Sequence, residues 1–157
     1  MSRVLVTGAS AGLGLLTASS LARAGHEVIL YARHRRRIED ADVLRRMWGV
    51  AYGDLGDLEE ACRVAEEASL LGRLDSVVHN AGVLDGPDVL AVNVVAPFVL
   101  TALMAPPGRM IVLSSSNASV RVAASGCGGD RRSSIDQLQR QQALCHGVRD
   151  GDRATLA

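Results

Sequence analysis

Short apolar runs alternate with longer amphipathic stretches along the first three quarters of the chain. Each run is rich in valine, isoleucine or leucine and is followed by glycine or polar residues, which is typical of a buried parallel strand. The runs are RVLVTG (3–8), EVILYA (27–32), GVAY (49–52), LDSVVH (74–79) and RMIVLSS (109–115). The pattern therefore predicts five β-strands.

The stretches between these runs carry helix start and stop signals. Residues 13–24 place several leucines on one face and precede Gly25, a glycine in a C-cap position. Residues 57–72 begin with acidic side chains, which the helix dipole favours in a first turn, and end at a glycine. An apolar helix containing Asn93 is predicted before the fifth strand. Strands joined by helices predict an α/β fold, a doubly wound parallel sheet.

Composition and charge narrow the class of protein. Hydrophobic residues make up 48% of the 157 residues, and 17 basic residues balance 17 acidic ones. We therefore expect a globular domain without the overall field that attracts nucleic acid. The chain has no apolar leader and no uninterrupted membrane span, which predicts a cytoplasmic protein with no membrane partner. Its three cysteines lack Cys-x-x-Cys spacing, so no metal site is expected.

The amino-acid composition of the chain changes after residue 116. Residues 117–130 are small, polar and glycine-rich, a composition that buries little apolar surface. Further on, Ser134 and Gln137 form a capping-box pattern that favours a short helix. The predicted organisation is a dinucleotide-binding domain over 1–116, of Rossmann type, followed by an irregular tail over 117–157.

The segment VTGASAGLG carries the first candidate chemistry. Gly8, Gly12 and Gly14 follow the first strand and open the first helix. Glycines at such a turn let the backbone approach a pyrophosphate, and the helix N-terminus supplies amide donors. Glycine turns also occur merely to make a sharp corner, but the strand-turn-helix context favours dinucleotide binding.

Four motifs in order resemble the short-chain dehydrogenase/reductase family over residues 3–116: TGASAGLG, HNAGV (79–83), NVVAPFVL and RMIVLSSS. The resemblance implies strand order 3-2-1-4-5, with the family's later strands missing. It also implies an NAD(P)-dependent oxidoreductase that transfers hydride between the cofactor and a small-molecule carbonyl or alcohol. The open fifth strand makes a homo-oligomer possible.

The resemblance also assigns individual residues. Those implied for cofactor binding are Gly8, Ser10, Gly12, Leu13 and Gly14 at the pyrophosphate turn, Asp54 and Leu55 at the adenine ring, and Asn80, Ala81 and Gly82 after the fourth strand. Asn93 matches a structural and proton-relay asparagine, and Ser115 matches the serine that hydrogen-bonds the substrate carbonyl. These two are the candidate catalytic residues.

Several of these positions have structural alternatives. Ser115 could belong to an ordinary polar loop at a strand end. Asn80 could tie the fourth strand to the fifth through side-chain hydrogen bonds. Asn93, in an apolar helix, could be satisfied by a backbone hydrogen bond or a water. His79 is expected to be a satisfied histidine near the adenine pocket rather than a base.

The choice of cofactor depends on the segment YARHRRR. In dinucleotide sites an acidic residue about twenty positions past the glycines selects NAD, whereas an arginine there suits a 2′-phosphate. Arg33 occupies that place, and Arg35 or Arg36 could assist it. The alternative is a solvated basic turn. We predict NADP, with NAD as the alternative.

The catalytic pair of the family, Tyr-x-x-x-Lys, is absent. Tyr31 and Tyr52 are the only tyrosines, both in the cofactor half, and the chain has no lysine. Reading from the second base of a suitable Leu138 codon, however, gives a tyrosine, and the same frame at Gln142 gives a lysine. This predicts a frameshift near residue 116 and an impaired enzyme. The alternatives are a competent enzyme with a different acid and an inactive NADP(H)-binding or sensing module.

Overall fold

The computed structural model describes residues 1–38 and 41–114, which carry all five predicted strands. Ser115 lies outside these residues, as do the predicted irregular tail and the short helix proposed after Ser134.

The described residues form one parallel sheet of five strands in the order β3-β2-β1-β4-β5. Its strands are β1 (Arg3–Val6), β2 (Glu27–Ala32), β3 (Gly49–Tyr52), β4 (Ser76–His79) and β5 (Arg109–Val112). Leu5 lies between Ile29 and Val77, and Val77 in turn pairs with Met110. The predicted doubly wound α/β fold and its strand order are thus confirmed.

Strand ends differ from the prediction where residues belong to the adjoining turns. The predicted bounds of β2 and β3 match. In contrast, β1 ends at Val6, two residues before the predicted end, because Thr7 and Gly8 already belong to the turn that follows. Similarly β4 begins at Ser76, after Leu74 and Asp75.

The helices are α1 (Gly12–Arg23), α2 (Ala41–Arg46), α3 (Leu58–Leu70) and α4 (Ala96–Leu103), with a 3-10 turn at Arg35–Arg37 and a π-helical segment at Ala91–Val95. Helix α3 begins after Asp57, which caps it by accepting a hydrogen bond from the Glu60 backbone N–H at 2.9 Å. Helix α1 ends before Gly25, whose φ of +84° suits a glycine. Helix α2 was not predicted, because none of its six residues is buried and no apolar period marks it.

Helices cover both faces of the sheet. Successive apolar side chains of β1 point to opposite faces, so both faces have to be buried. Leu5 packs on one face with Val64 of α3 and Leu100 of α4. Val4 and Val6 pack on the other face with Ala18 of α1. Each fully buried aliphatic side chain contributes about 1.5–3 kcal/mol relative to exposure, so these two layers hold the domain together.

Candidate functional site

A cleft of about 310 Å³ opens beyond the carboxyl ends of β1, β2 and β4. Its lining residues are Gly8, Ser10, Ala11, Tyr31, Arg33, Arg37, Leu55, Asn80, Ala81, Gly82, Val83 and Val92. Ligands of open α/β sheets bind in this position, outside the carboxyl edge of the strands. The structure thus brings together seven of the eleven predicted cofactor residues: Gly8, Ser10, Arg33, Leu55, Asn80, Ala81 and Gly82.

Thr7 and Asn80 join the ends of β1 and β4 at the floor of the cleft. The Thr7 hydroxyl accepts hydrogen bonds from the backbone N–H groups of Asn80 and Ala81, both at 3.0 Å. The Asn80 side-chain amide donates to the carbonyl oxygens of Thr7 (2.9 Å) and Gly8 (3.1 Å). Asn80 therefore ties β4 to β1. The expected tie to the fifth strand is wrong, because the side chain points at the glycine turn.

Two glycines in this turn are required by close packing. A Cβ atom on Gly8 would lie 2.7 Å from the Ala81 Cα, and Gly8 has a φ of +65°. A Cβ on Gly14 would lie 2.5 Å from the Gly8 carbonyl oxygen and would collide with the Asn80 amide. Gly12 is different: its φ is +59°, yet a Cβ there would meet open space. The turn is consequently shaped to bring backbone, not side chains, to the cleft wall.

The N-terminus of α1 adjoins this turn. Ala11 occupies the N-cap position, and no side chain accepts a hydrogen bond from the first-turn amides. Amides at a helix start carry partial positive charge, which suits an anionic group. Leu13 is 62% exposed and, like Gly12 and Gly14, does not line the cleft, so its predicted contact with the cofactor stays a prediction.

Arg33 and Asp54 meet where β2 and β3 end. The Arg33 Nη2 atom lies 3.1 Å from the Asp54 Oδ1 atom, which also accepts the Gly56 backbone N–H at 2.8 Å. Leu55 lines the cleft, whereas Asp54 stands beside it. Arg37 also lines the cleft, in place of the predicted Arg35 or Arg36. Arg37 was not among the predicted residues, because its approach to the cleft depends on the 3-10 turn at Arg35–Arg37.

Tyr31 forms part of the cleft wall but does not supply an acid. Its hydroxyl donates to the Gly53 carbonyl oxygen at 2.5 Å. Burial raises the pKa of Tyr31 to about 12. The phenol therefore stays protonated near neutral pH and its proton is already engaged.

Asn93 lies in the π-helical segment Ala91–Val95, next to the cleft. Its side-chain amide donates to the Val83 carbonyl oxygen at 2.8 Å, and its Oδ1 atom accepts the Val83 N–H at 2.9 Å. The backbone-satisfied alternative for Asn93 is thus confirmed. A role in proton relay remains a prediction, although π-helical turns often occur at functional sites.

His79 lies behind β4 rather than at the adenine end of the cleft. It is 3% exposed, and its Nε2 atom is 3.2 Å from the Thr101 hydroxyl of α4. Its Nδ1 atom has no hydrogen-bond partner among the described residues, so the expectation of a satisfied histidine holds for Nε2 only. Burial lowers the pKa of His79 below 6.5. His79 does not line the cleft, because its side chain enters the layer between β4 and α4.

Within residues 1–38 and 41–114, no group of three or more histidine, cysteine or acidic side chains could hold a metal ion. In the same part of the chain, no helix combines the length and apolar character needed to cross a bilayer.

The chain is similar in sequence and fold to known short-chain dehydrogenases. The profile of the short chain dehydrogenase family matches residues 2–128. A short-chain dehydrogenase from Gibberella zeae, chry4, is 36% identical over 125 residues, which cover 73% of this chain and 48% of that protein. The chain belongs to the short-chain dehydrogenase family. It spans about half the length of this curated relative.

Two solved structures show the same arrangement. A short-chain dehydrogenase from Streptomyces avermitilis superposes with a TM-score of 0.65 at 30% identity, covering 73% of this chain and 49% of that one. The NADP active-site complex of Pseudomonas aeruginosa RhlG superposes with a TM-score of 0.63 at 28% identity, covering 73% and 54%. Both share the parallel-sheet fold of this chain.

Proposed function

We propose that the cleft binds NADP(H). The observation that carries the proposal is the convergence on one cavity of the glycine turn, the Asn80–Gly82 segment, Leu55 and Arg33. A pyrophosphate fits the turn because Gly8 presents backbone to the cleft, while the buried Gly14 lets α1 pack closely against the turn. The similarity to the RhlG structure, which holds NADP, supports the same cofactor class.

The preference for NADP over NAD depends on charge at the mouth of the cleft. Arg33 directly follows β2, the position that recognises the adenosine ribose in such folds. Arg37 adds a second guanidinium to the lining. Guanidinium groups pair well with phosphate, whereas a ribose hydroxyl is better served by a carboxylate.

The reaction we propose is hydride transfer between the nicotinamide cofactor and a small carbonyl or alcohol. The cofactor supplies or accepts the hydride. Asn93 shapes the adjacent wall by holding Val83, and Ser115 is the proposed partner of the substrate oxygen. Family membership supports this class of reaction.

We further propose that this chain catalyses the reaction poorly. Reduction of a carbonyl needs a proton donor where charge develops on oxygen, and losing a positioned acid costs about a hundred- to ten-thousandfold in rate. Tyr31 donates to Gly53 and has a raised pKa, so it does not replace the missing tyrosine. The second candidate function, an inactive NADP(H)-binding or sensing module, follows from the same observation.

One pair of assays separates these functions. NADPH oxidation is followed with a panel of aldehydes and ketones, for this chain and for a version whose codons after 116 are read in the shifted frame. The proposal predicts turnover barely above background for the chain as written and a large gain for the shifted-frame version. Turnover typical of an enzyme in the chain as written would contradict the proposed impairment, and a cofactor-dependent protein partner would favour the sensing module.

A further inference from the structure

The two arginines that line the mouth of the cleft differ in their partners. Arg33 is paired with Asp54 at 3.1 Å, and both side chains are about one-third exposed, at 34% and 36%. Arg37 has no ion-pair partner among residues 1–38 and 41–114. Within the described residues, an anionic ligand that enters therefore meets one guanidinium that is paired with a carboxylate and one that is not.

Asp54 is held firmly in this position. Its Oδ1 atom accepts the Gly56 N–H at 2.8 Å, and its backbone N–H donates to the Glu60 carboxylate at 2.6 Å. The carboxylate therefore cannot swing far when a ligand approaches. A phosphate that binds Arg33 must share the guanidinium with Asp54 and must tolerate a fixed negative charge beside it.

We infer that Arg37 and Asp54 together set the discrimination between a 2′-phosphorylated and an unphosphorylated adenosine ribose, Arg37 by attraction and Asp54 by opposition. The inference rests on the proposed binding of NADP(H) and extends it to two residues. Arg37 supplies a second positive charge at the mouth. Asp54 is paired with Arg33 and repels the phosphate. The wild-type chain therefore prefers the phosphorylated ribose less strongly than it would with the same two arginines and no carboxylate at position 54.

The repulsion between Asp54 and the 2′-phosphate is electrostatic and acts at short range. Substitutions that change one charge and little else can therefore measure it. Asp54→Asn removes the charge but keeps an oxygen that can accept the Gly56 N–H. Arg37→Ala removes the second positive charge from an exposed side chain, so the fold is retained. Arg36→Ala is the matched control, because Arg36 belongs to the same 3-10 turn, is exposed and does not line the cleft.

The test measures binding to the full chain by isothermal titration with two probes, 2′,5′-ADP and 5′-AMP. The readout is the ratio of their dissociation constants, in which changes in adenine binding or in overall stability cancel. Arg37→Ala should reduce the preference for 2′,5′-ADP by about tenfold, the effect of one charge-assisted hydrogen bond. Asp54→Asn should raise it by roughly threefold, as removal of a nearby like charge predicts. Arg36→Ala should leave it within about twofold, because the charge at the mouth is unchanged.

Every other outcome contradicts one part of this inference. An unchanged ratio in Arg37→Ala refutes the role of Arg37. A lower ratio in Asp54→Asn shows that Asp54 positions Arg33 instead of opposing the phosphate, which refutes the competition. If the wild-type chain binds neither probe nor NADPH, the proposed function fails as well; if it binds them and the variants leave the ratio unchanged, only this inference fails.

Discussion

At the junction of β1 and β4, the backbone N–H groups of Asn80 and Ala81 and the carbonyls of Thr7 and Gly8 all have side-chain partners. At β5, by contrast, Met110, Ile111 and Val112 are 41–62% exposed, although the strand is as apolar as β1. Within the described residues, the junction of β1 and β4 thus satisfies its backbone groups with its own side chains, whereas β5 exposes apolar side chains on an edge strand of the sheet.

The largest effect is expected from a methyl group placed inside the junction. Gly14→Ala directs a Cβ into the Gly8 carbonyl and the Asn80 amide, so the turn or the helix must shift. We expect a loss of about 1–3 kcal/mol in the free energy of unfolding, the usual cost of overpacking, together with weaker nucleotide binding. Urea unfolding measures the first quantity.

Ser20→Ala, on an exposed part of the same helix, is the control for Gly14→Ala. It should change the free energy of unfolding by less than about 0.5 kcal/mol. Equal stability of the two variants would mean that the junction is looser than its contacts indicate.

The next effect concerns binding alone. Arg33→Ala should weaken NADPH binding by about 1–3 kcal/mol, since a charge-assisted hydrogen bond to the 2′-phosphate is lost, and should leave NADH nearly unchanged. Fluorescence titration with both cofactors measures this, with exposed Arg35→Ala as the control. Equal losses for the two cofactors would refute the assignment of Arg33.

A smaller effect is expected from His79, which lies between the two regions compared. Burial lowers the pKa of His79 in the folded protein below 6.5, so below that pH the unfolded chain binds more protons. Its contribution to stability is therefore full above pH 6.5 and falls as the pH drops further. Thermal unfolding as a function of pH should show a shallower acid loss for His79→Asn than for the wild type. Parallel curves would show that the imidazole is not neutralised by burial.

The smallest change in stability is expected at the edge. Val112 is 62% exposed, so Val112→Lys should alter the free energy of unfolding by less than about 0.5 kcal/mol. It should nevertheless reduce self-association, because a charge on an edge strand opposes pairing with another chain. Sedimentation velocity at several concentrations measures this. Identical association of variant and wild type would show that β5 is not the contact.

The strands could be predicted from sequence because each is a short apolar run between polar or glycine residues, and β2 and β3 match to the residue. The predicted strand order also placed the ends of β2 and β3 side by side, so the proximity of Arg33 and Asp54 was within reach. Arg37 was not, because its approach to the cleft depends on the 3-10 turn at Arg35–Arg37, which no apolar period marks. The partner of Asn80 was also missed, since amide orientation depends on the turn geometry around Gly8.

The central claim is that the cleft at the carboxyl ends of β1, β2 and β4 binds NADP(H), and its most direct measurement is a calorimetric titration of the wild-type chain with NADPH. The account predicts a single saturable site per chain, competition by 2′,5′-ADP, and tighter binding of NADPH than of NADH. A titration with no saturable heat, or binding that 2′,5′-ADP does not displace, would contradict it.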